Sequence, residues 1–369
     1  MAAILFKIKS NKMLKYIKSC MWIALLPVLF TGCKHDELTV PDSRESYRLA
    51  GDFVKNNYDL QLFNAALEYT GLSVDMNGEG PFTLLAPNNS AFNELGITRA
   101  SDFQRLNKDS LKLAMQYHIL NRRLPLSDIP TNGVDVRYLN LAGKEVFLTF
   151  AAVNPNNPGF PVNNLYVNGS FAVKKNVTLA NGVLYVMDKV MKYIPGTVQQ
   201  FLAAQSEYSV YVAALKQSGL WEQLSGAGPF TIFAPDNAAL GRQGITMENL
   251  SLYNSNKYVT ARLFGMYVLS KRNLFLTDFP AMYIIYGSSQ LKAKISNDNY
   301  IFLVSATKST YQVTPTEFSF SYVDPDNPAL GNQGTVYGNT SRKNDNLTDN
   351  GIVHYLPDLV IKPEVAIKK

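Results

Sequence analysis

Two nine-residue stretches of this chain, Gly80–Asn88 and Gly228–Asp236, read GPFTLLAPN and GPFTIFAPD. In each stretch, Gly-Pro predicts a turn and the apolar residues after it predict a short buried strand. Pro87 and Pro235 are expected to end these strands, because proline has no N–H to donate to a sheet. The Asn or Asp residues that follow are typical caps of a helix that begins there. The stretch therefore predicts a turn, a strand, a cap and a helix, twice.

A second phrase also repeats, as ANGVLYV at Ala180–Val186 and as DNGIVHY at Asp349–Tyr355. Asn-Gly is typical of a two-residue hairpin turn with positive φ angles, and the apolar residues after it predict a strand. Each repeat has the first phrase early and the second late, which predicts two copies of one domain. We place domain 1 at residues 46–194 and domain 2 at residues 195–369, with Pro195-Gly196 as the hinge.

The spacing of the repeats shows that the second copy is longer. The first phrase recurs after 148 residues and the second after 169, so domain 2 has about 20 additional residues. A third repeat, Val153–Pro158 against Val323–Pro328, is rich in Pro and Asn and predicts an exposed loop. The additional residues precede this loop, and the alternating segment at about 283–322 predicts an added hairpin.

The N-terminus resembles a bacterial lipoprotein signal. Five lysines precede the apolar run Met21–Phe30, and Thr31-Gly32-Cys33 follows it. The resemblance implies that residues 1–32 are a signal peptide, that Cys33 carries the lipid, palmitate included, and that residues 33–45 are a tether. A transmembrane anchor is the alternative, but the run is shorter than the roughly 20 residues that a span needs. Met13 is an alternative start.

The charge of the chain belongs largely to this signal. The net charge is +6, but the five lysines of residues 1–32 have no acidic partner there, which leaves 30 basic against 29 acidic residues. A nearly neutral mature chain gives no reason to expect a nucleic-acid partner. Cys20 lies in the signal, so no cysteine remains for a disulfide. Lys34–Glu37 resembles a tag for the outer face of the outer membrane, and a plain solvated tether is the alternative.

The two phrases, together with Tyr117-His118, resemble the motifs of the fasciclin domain. The resemblance covers almost all of the chain after the tether, in two copies. It implies an α+β fold in which each domain is a β-sandwich wedge with flanking short helices. It also implies a role in adhesion or extracellular binding, usually without catalysis.

The motif positions differ between the copies. His118 of the Tyr-His pair corresponds to Tyr267 in domain 2, and His354 after the second Asn-Gly corresponds to Tyr185 in domain 1. Asp188 keeps the family's late Asp. Each domain therefore has one His and one Tyr at these two positions. Because both side chains have a flat apolar body and a polar tip, we interpret all five residues as structural.

No pattern of catalytic or metal-binding residues stands out. No His or Cys spacing typical of zinc is present, and no phosphate loop or nucleophile motif appears. Asp324–Asn327 is either a calcium ligand set or an ordinary Asn/Pro turn. Four carboxylates could in principle pair for glycoside hydrolysis, namely Asp135, Glu145, Asp188 and Glu207. We predict no enzyme activity, no cofactor and no metal.

Tyrosines cluster near the added segment of domain 2. They are Tyr283, Tyr286, Tyr300, Tyr311 and Tyr322. Exposed tyrosines suit a glycan or a protein partner, whereas the alternative is an ordinary sheet face. The sequence predicts a cell-surface outer-membrane lipoprotein that works in adhesion or extracellular binding. The alternatives are an accessory protein or enzyme of polysaccharide breakdown, and a structural envelope protein without a soluble ligand.

Overall fold

A computed structural model of the chain describes residues 47–159, 161–288, 290–294, 300–307, 317–339 and 343–369. The predicted signal peptide and the whole predicted tether, including Cys33, precede these ranges, and Tyr311 also lies outside them. Among the described residues, no helix is both long and apolar enough to cross a membrane.

Domain 1 alternates short helices with strands. Its helices are α1 (Ala50–Lys55), α2 (Gln61–Thr70), α3 (Asn89–Asn93) and α4 (Lys108–Tyr117). Its strands are β1 (Phe82–Pro87), β2 (Ile119–Leu120), β3 (Gly133–Leu139), β4 (Glu145–Val153), β5 (Pro161–Val167), β6 (Ser170–Leu179) and β7 (Gly182–Met187). The strands follow the order β2-β1-β7-β6-β5-β4-β3, and β1 and β7 are parallel.

The two repeated phrases of domain 1 lie side by side at the centre of the core. In β7, Leu184 and Val186 pack into an apolar cluster with α1, α2 and α4, whereas Val183 and Tyr185 face a second cluster with β4 and β5. A strand that is buried on both faces needs a continuous apolar run, as these strands have.

Domain 2 repeats this plan. Its helices are α5 (Val198–Ala204), α6 (Ser209–Gln217), α7 (Asn237–Arg242), α8 (Thr260–Leu263) and α9 (Asp278–Tyr286). Its strands are β8 (Phe230–Pro235), β9 (Val268–Ser270), β10 (Gln290–Lys294), β11 (Ile301–Thr307), β12 (Glu317–Val323), β13 (Gln333–Asn339), β14 (Asn346–Thr348) and β15 (Gly351–Leu356). They form two sheets, β14-β15-β8-β9 and β10-β11-β12-β13, and β15 runs parallel to β8.

The caps after the first phrase are present in both domains. The side chain of Asn88 accepts the N–H of Ala91 at 2.8 Å, and that of Asp236 accepts the N–H of Ala239 at 2.7 Å. The next residue has another role: Asn89 accepts the N–H of Leu62 in α2 at 3.0 Å. Each phrase therefore fixes the start of two helices.

The prediction of positive φ angles at the two Asn-Gly pairs is wrong. Among the described residues, neither residue of either Asn-Gly pair has a positive φ. Asn181 is instead buried, donating to the carbonyls of Met76 and Gly78 and accepting the N–H of Ala50. Gly182 is required because a Cβ there would press against the carbonyl oxygen of Phe82.

The two domains meet through a buried junction. The Phe275 ring lies 6.1 Å from the Phe147 ring of domain 1, and Leu347 and Ile352 join the same apolar cluster. Helix α9 packs on β4, where Thr149 donates a 2.7 Å hydrogen bond to the buried carboxyl of Asp278. Burial raises the pKa of Asp278 to about 7.

The domain boundary itself is pinned by Asp349. Its carboxylate accepts the N–H of Gly196 at 2.8 Å, pairs with Lys144 at 2.8 Å and accepts the hydroxyl of Tyr193. Burial acts to raise the pKa of Asp349, but these hydrogen bonds outweigh it and lower that pKa. The segment between the domains at Pro195-Gly196 is therefore held by hydrogen bonds and is not a free linker.

Candidate functional site

The exchanged His and Tyr residues of the two domains make equivalent contacts. Nε2 of His118 accepts the N–H of Met191 at 3.0 Å, and the hydroxyl of Tyr267 accepts the N–H of Val360 at 3.1 Å. Met191 and Val360 are 169 residues apart, which is the offset of the second repeated phrase. One acceptor therefore serves the same backbone group in both copies, and both rings are buried.

The second position of the pair behaves in the same way. The hydroxyl of Tyr185 donates to the carbonyl of Leu124 at 2.8 Å, and Nε2 of His354 contacts the carbonyl of Leu274 at 2.8 Å. Since a carbonyl only accepts, Nε2 of His354 carries the proton. These buried rings tie the central strand to the chain that follows β2 or β9, and they offer no surface to a partner.

The carboxylate of Asp188 is also used in hydrogen bonds within the fold. Its carboxylate accepts the hydroxyl of Ser170 at 2.9 Å and the N–H of Phe171 at 2.7 Å, which fixes the start of β6. Burial raises the pKa of Asp188.

We expect His118 to make domain 1 sensitive to acid. Burial lowers its pKa to about 4, from an ordinary value near 6.5, because the charged ring would lose its hydration in the core. A protonated ring also could not accept the Met191 N–H. The stability that neutral His118 contributes is complete above pH 6.5 and is lost as the pH falls towards 4, by up to about 3 kcal/mol. Urea unfolding across this range checks it. His118→Gln keeps an acceptor without titrating, so an equally steep fall in that variant would contradict the assignment.

The predicted tyrosine cluster divides into two groups. Tyr283 and Tyr286 are exposed on α9, whereas Tyr300 and Tyr322 are buried, each with about 5% of its surface accessible, so their predicted exposure is wrong. The rings of Tyr300 and Tyr322 stack at 5.5 Å, and the guanidinium of Arg262 covers Tyr300 at 3.7 Å. Tyr300 directly precedes β11 and Tyr322 lies in β12, and the alternation of side chains along these strands turns both rings towards the core of domain 2.

The carboxylates considered above for glycoside hydrolysis or calcium binding pair with cationic side chains or accept hydrogen bonds within the fold. Asp135 and Glu145 both pair with Arg137, at 2.9 Å and 3.3 Å, and Glu207 pairs with Lys343 at 3.6 Å. Asp324 accepts the N–H of Asp326 and the hydroxyl of Tyr300, as in an ordinary polar turn. In the part of the chain that the structure describes, no three His, Cys, Asp or Glu residues are grouped as metal ligands.

The concave sites on the described surface include the following two. One, of about 360 Å³, lies between the domains and is bordered by Lys189, Lys192 and Asp345. The Lys192 ammonium there donates to the carbonyl of Asn344 at 2.9 Å, so this cavity helps to join the domains.

The other is a surface cleft of about 440 Å³ on domain 1, which we call the Tyr58 cleft. The described residues that line it are Tyr58, Gln61, Leu62, Asn89, Asn93, Thr98, Arg99 and Ala100. None of the sequence motifs described above predicts this cleft. Comparison of the two repeats could have found it, because Tyr58 is replaced by a serine in the second copy.

Comparison with known proteins gives a family. A model described as "Fasciclin domain" matches residues 58–193 and 206–362. Periostin of Homo sapiens is 28% identical over 172 residues, which cover 46% of this chain and 19% of periostin. The transforming growth factor-beta-induced protein ig-h3 of Sus scrofa is 24% identical over 291 residues, which cover 79% of this chain and 36% of that protein. The chain thus spans well under half the length of either relative.

A solved structure is also similar. It is a FAS1 domain pair from the insect cell adhesion molecule fasciclin I, with a TM-score of 0.35 and 16% identity, covering 83% of this chain and 97% of that one. The family assignment rests on the model that matches both repeats, over most of the sequence. This chain belongs to the fasciclin family and contains two fasciclin domains.

Proposed function

We propose that this protein is a cell-surface lipoprotein that acts in adhesion or extracellular binding, with both domains presented as one rigid unit. The observation that carries the proposal is the buried junction, in which Phe275, Asp278 and Asp349 of domain 2 all contact domain 1. Fixed geometry lowers the entropic cost of binding and lets surfaces on both domains engage one partner together. Membership of the fasciclin family supports this role.

The anchor in this proposal is a lipid, palmitate included, on Cys33. The apolar run before Cys33 and the polar residues after it support an outer-membrane lipoprotein with the domains facing outwards. The partner is a glycan or a protein, and the nearly neutral mature chain favours no nucleic acid.

The alternative, an enzyme or accessory protein of polysaccharide breakdown, has less support. It requires two facing carboxylates in a groove, whereas Asp135 and Glu145 are both paired with Arg137. Glu207 is paired with Lys343.

Protease treatment of intact cells tests the proposal. We expect protease to remove domain 2, as seen with an antibody against it, while a periplasmic control protein survives. In Cys33→Ala cells the protein should leave the membrane fraction, because it has lost its lipid anchor. Full protection of the wild-type protein would contradict surface exposure, and a Cys33→Ala protein that stayed in the membrane fraction with its signal removed would contradict the lipid anchor.

A further inference from the structure

Tyr58 presents its ring to solvent from a fixed backbone. About 80% of the residue is exposed, which is unusual for a large aromatic side chain. Its carbonyl accepts the side-chain N–H of Asn89 at 2.8 Å, and Asn57 accepts the N–H of Asp59 at 3.0 Å. Asp59 also pairs with Lys174 at 3.2 Å. The backbone below the ring is thus held on both sides, so binding would not have to order it.

Polar side chains with unused hydrogen-bonding groups line the same cleft as this ring. Nε of Arg99 contacts the carboxylate of Asp102 at 3.3 Å, which orients the guanidinium. Among the described residues, no hydrogen bond uses the two terminal nitrogens of Arg99 or the side-chain amides of Gln61 and Asn93. The Tyr58 cleft therefore combines an exposed aromatic ring, two side-chain amides and the terminal nitrogens of a guanidinium.

Domain 2 shows that the fold does not need these side chains. Asn237 repeats the contacts of Asn89: it accepts the N–H of Val210 and donates to the carbonyl of Ser206, the counterpart of Tyr58. The supporting hydrogen bonds are therefore the same in both copies.

The cleft residues nevertheless differ between the copies. In domain 2 the counterparts of Tyr58, Gln61, Asn93 and Arg99 are Ser206, Ser209, Gly241 and Met247. Since the same supporting framework carries none of these groups in domain 2, their presence in domain 1 is not explained by folding.

We propose that the Tyr58 cleft binds an acidic oligosaccharide whose sugar rings carry carboxylates. The apolar face of one sugar stacks on the exposed ring, as the amphipathic chemistry of tyrosine allows. The planar guanidinium of Arg99 matches a carboxylate with two parallel hydrogen bonds. Gln61 and Asn93 offer both donors and acceptors to the hydroxyl groups.

The chemistry of the cleft favours a sugar over a protein. A stable protein interface buries about 800 Å² on each partner around an apolar centre. The Tyr58 cleft has a single exposed ring surrounded by polar groups, and its volume of about 440 Å³ is that of a small-molecule site. An acidic oligosaccharide would be the partner of the proposed adhesion or binding role. This assignment rests on the proposed function only in that the domains must face the outside to reach extracellular glycans.

The test is calorimetric titration of the full chain in detergent with tetramers of galacturonate, glucuronate and mannuronate, each compared with its methyl ester. At least one acid should bind, and its neutral ester should bind about tenfold more weakly. Tyr58→Ser should weaken binding of the acid about tenfold, and Arg99→Met should remove the preference for the acid over the ester. Both changes install the residue that domain 2 has at that position.

Tyr286→Ser is the matched control, because Tyr286 is also an exposed tyrosine, at 64%. It should leave binding unchanged, and all variants should keep the wild-type unfolding midpoint. Absence of binding by all three acids at about 5 mM would overturn the inference. So would binding that is lost in Tyr286→Ser but kept in Tyr58→Ser, or an equal loss for acid and ester in Arg99→Met. Surface exposure is measured separately, so binding without exposure would refute only the proposed location.

Discussion

Replacing Gly182 with alanine is expected to lower the free energy of unfolding by more than about 3 kcal/mol, because the new Cβ has no room. Gly182 lies opposite Phe82 in the parallel pair of β1 and β7, and a Cβ there would press against the Phe82 carbonyl oxygen. Both strands are packed on two faces, so neither backbone can retreat without disturbing a core. Urea unfolding measures the loss.

Gly241→Ala is the control for this prediction. Gly241 lies within helix α7, and a Cβ at this position would meet nothing within 4 Å. Alanine is a better helix former than glycine, so we expect this change to be neutral or to stabilise by up to about 1 kcal/mol. Equal effects of Gly182→Ala and Gly241→Ala would show that close approach of the two strands is not why Gly182 is needed.

Local signals predicted much of the fold. Strands β1 and β8 and the capping side chains of Asn88 and Asp236 were all readable from a few neighbouring residues. Each of these features depends on chemistry within one turn of chain. The family followed from the repetition of such signals in the same order, and the family model confirms it.

Features that depend on distant partners were not readable. The Asn-Gly phrase has the composition of a positive-φ turn, but Asn181 is used to hold α1 and the chain before β1. Apolar and polar residues alternate around Tyr300 and Tyr322, which predicts strands but does not show which face of the sheet packs against the core. Likewise, nothing near Tyr58 in sequence indicates that Arg99 lines the same cleft. These outcomes are set by packing between segments far apart in the chain.

Replacing Phe275 with alanine is expected to uncouple the two domains. Phe275 is buried in the apolar cluster of domain 1 although it belongs to domain 2, and its ring packs on Phe147. Truncation of a buried phenylalanine costs about 3–5 kcal/mol, and here much of that loss falls on the junction. The hydrogen bond between Thr149 and Asp278 lies three residues further along and should weaken with it. We therefore expect one cooperative thermal transition to become two.

Scanning calorimetry of the full chain measures this separation, with Leu252→Ala as the control. Leu252 also belongs to domain 2, but it is exposed, so its truncation should leave a single transition. A single transition in Phe275→Ala, merely shifted to lower temperature, would mean that the polar contacts of Asp349 suffice to couple the domains. Two transitions would instead identify apolar packing at Phe275 as the cause of rigidity. In that case the variant should also lose avidity for any partner that contacts both domains, because their spacing would no longer be fixed.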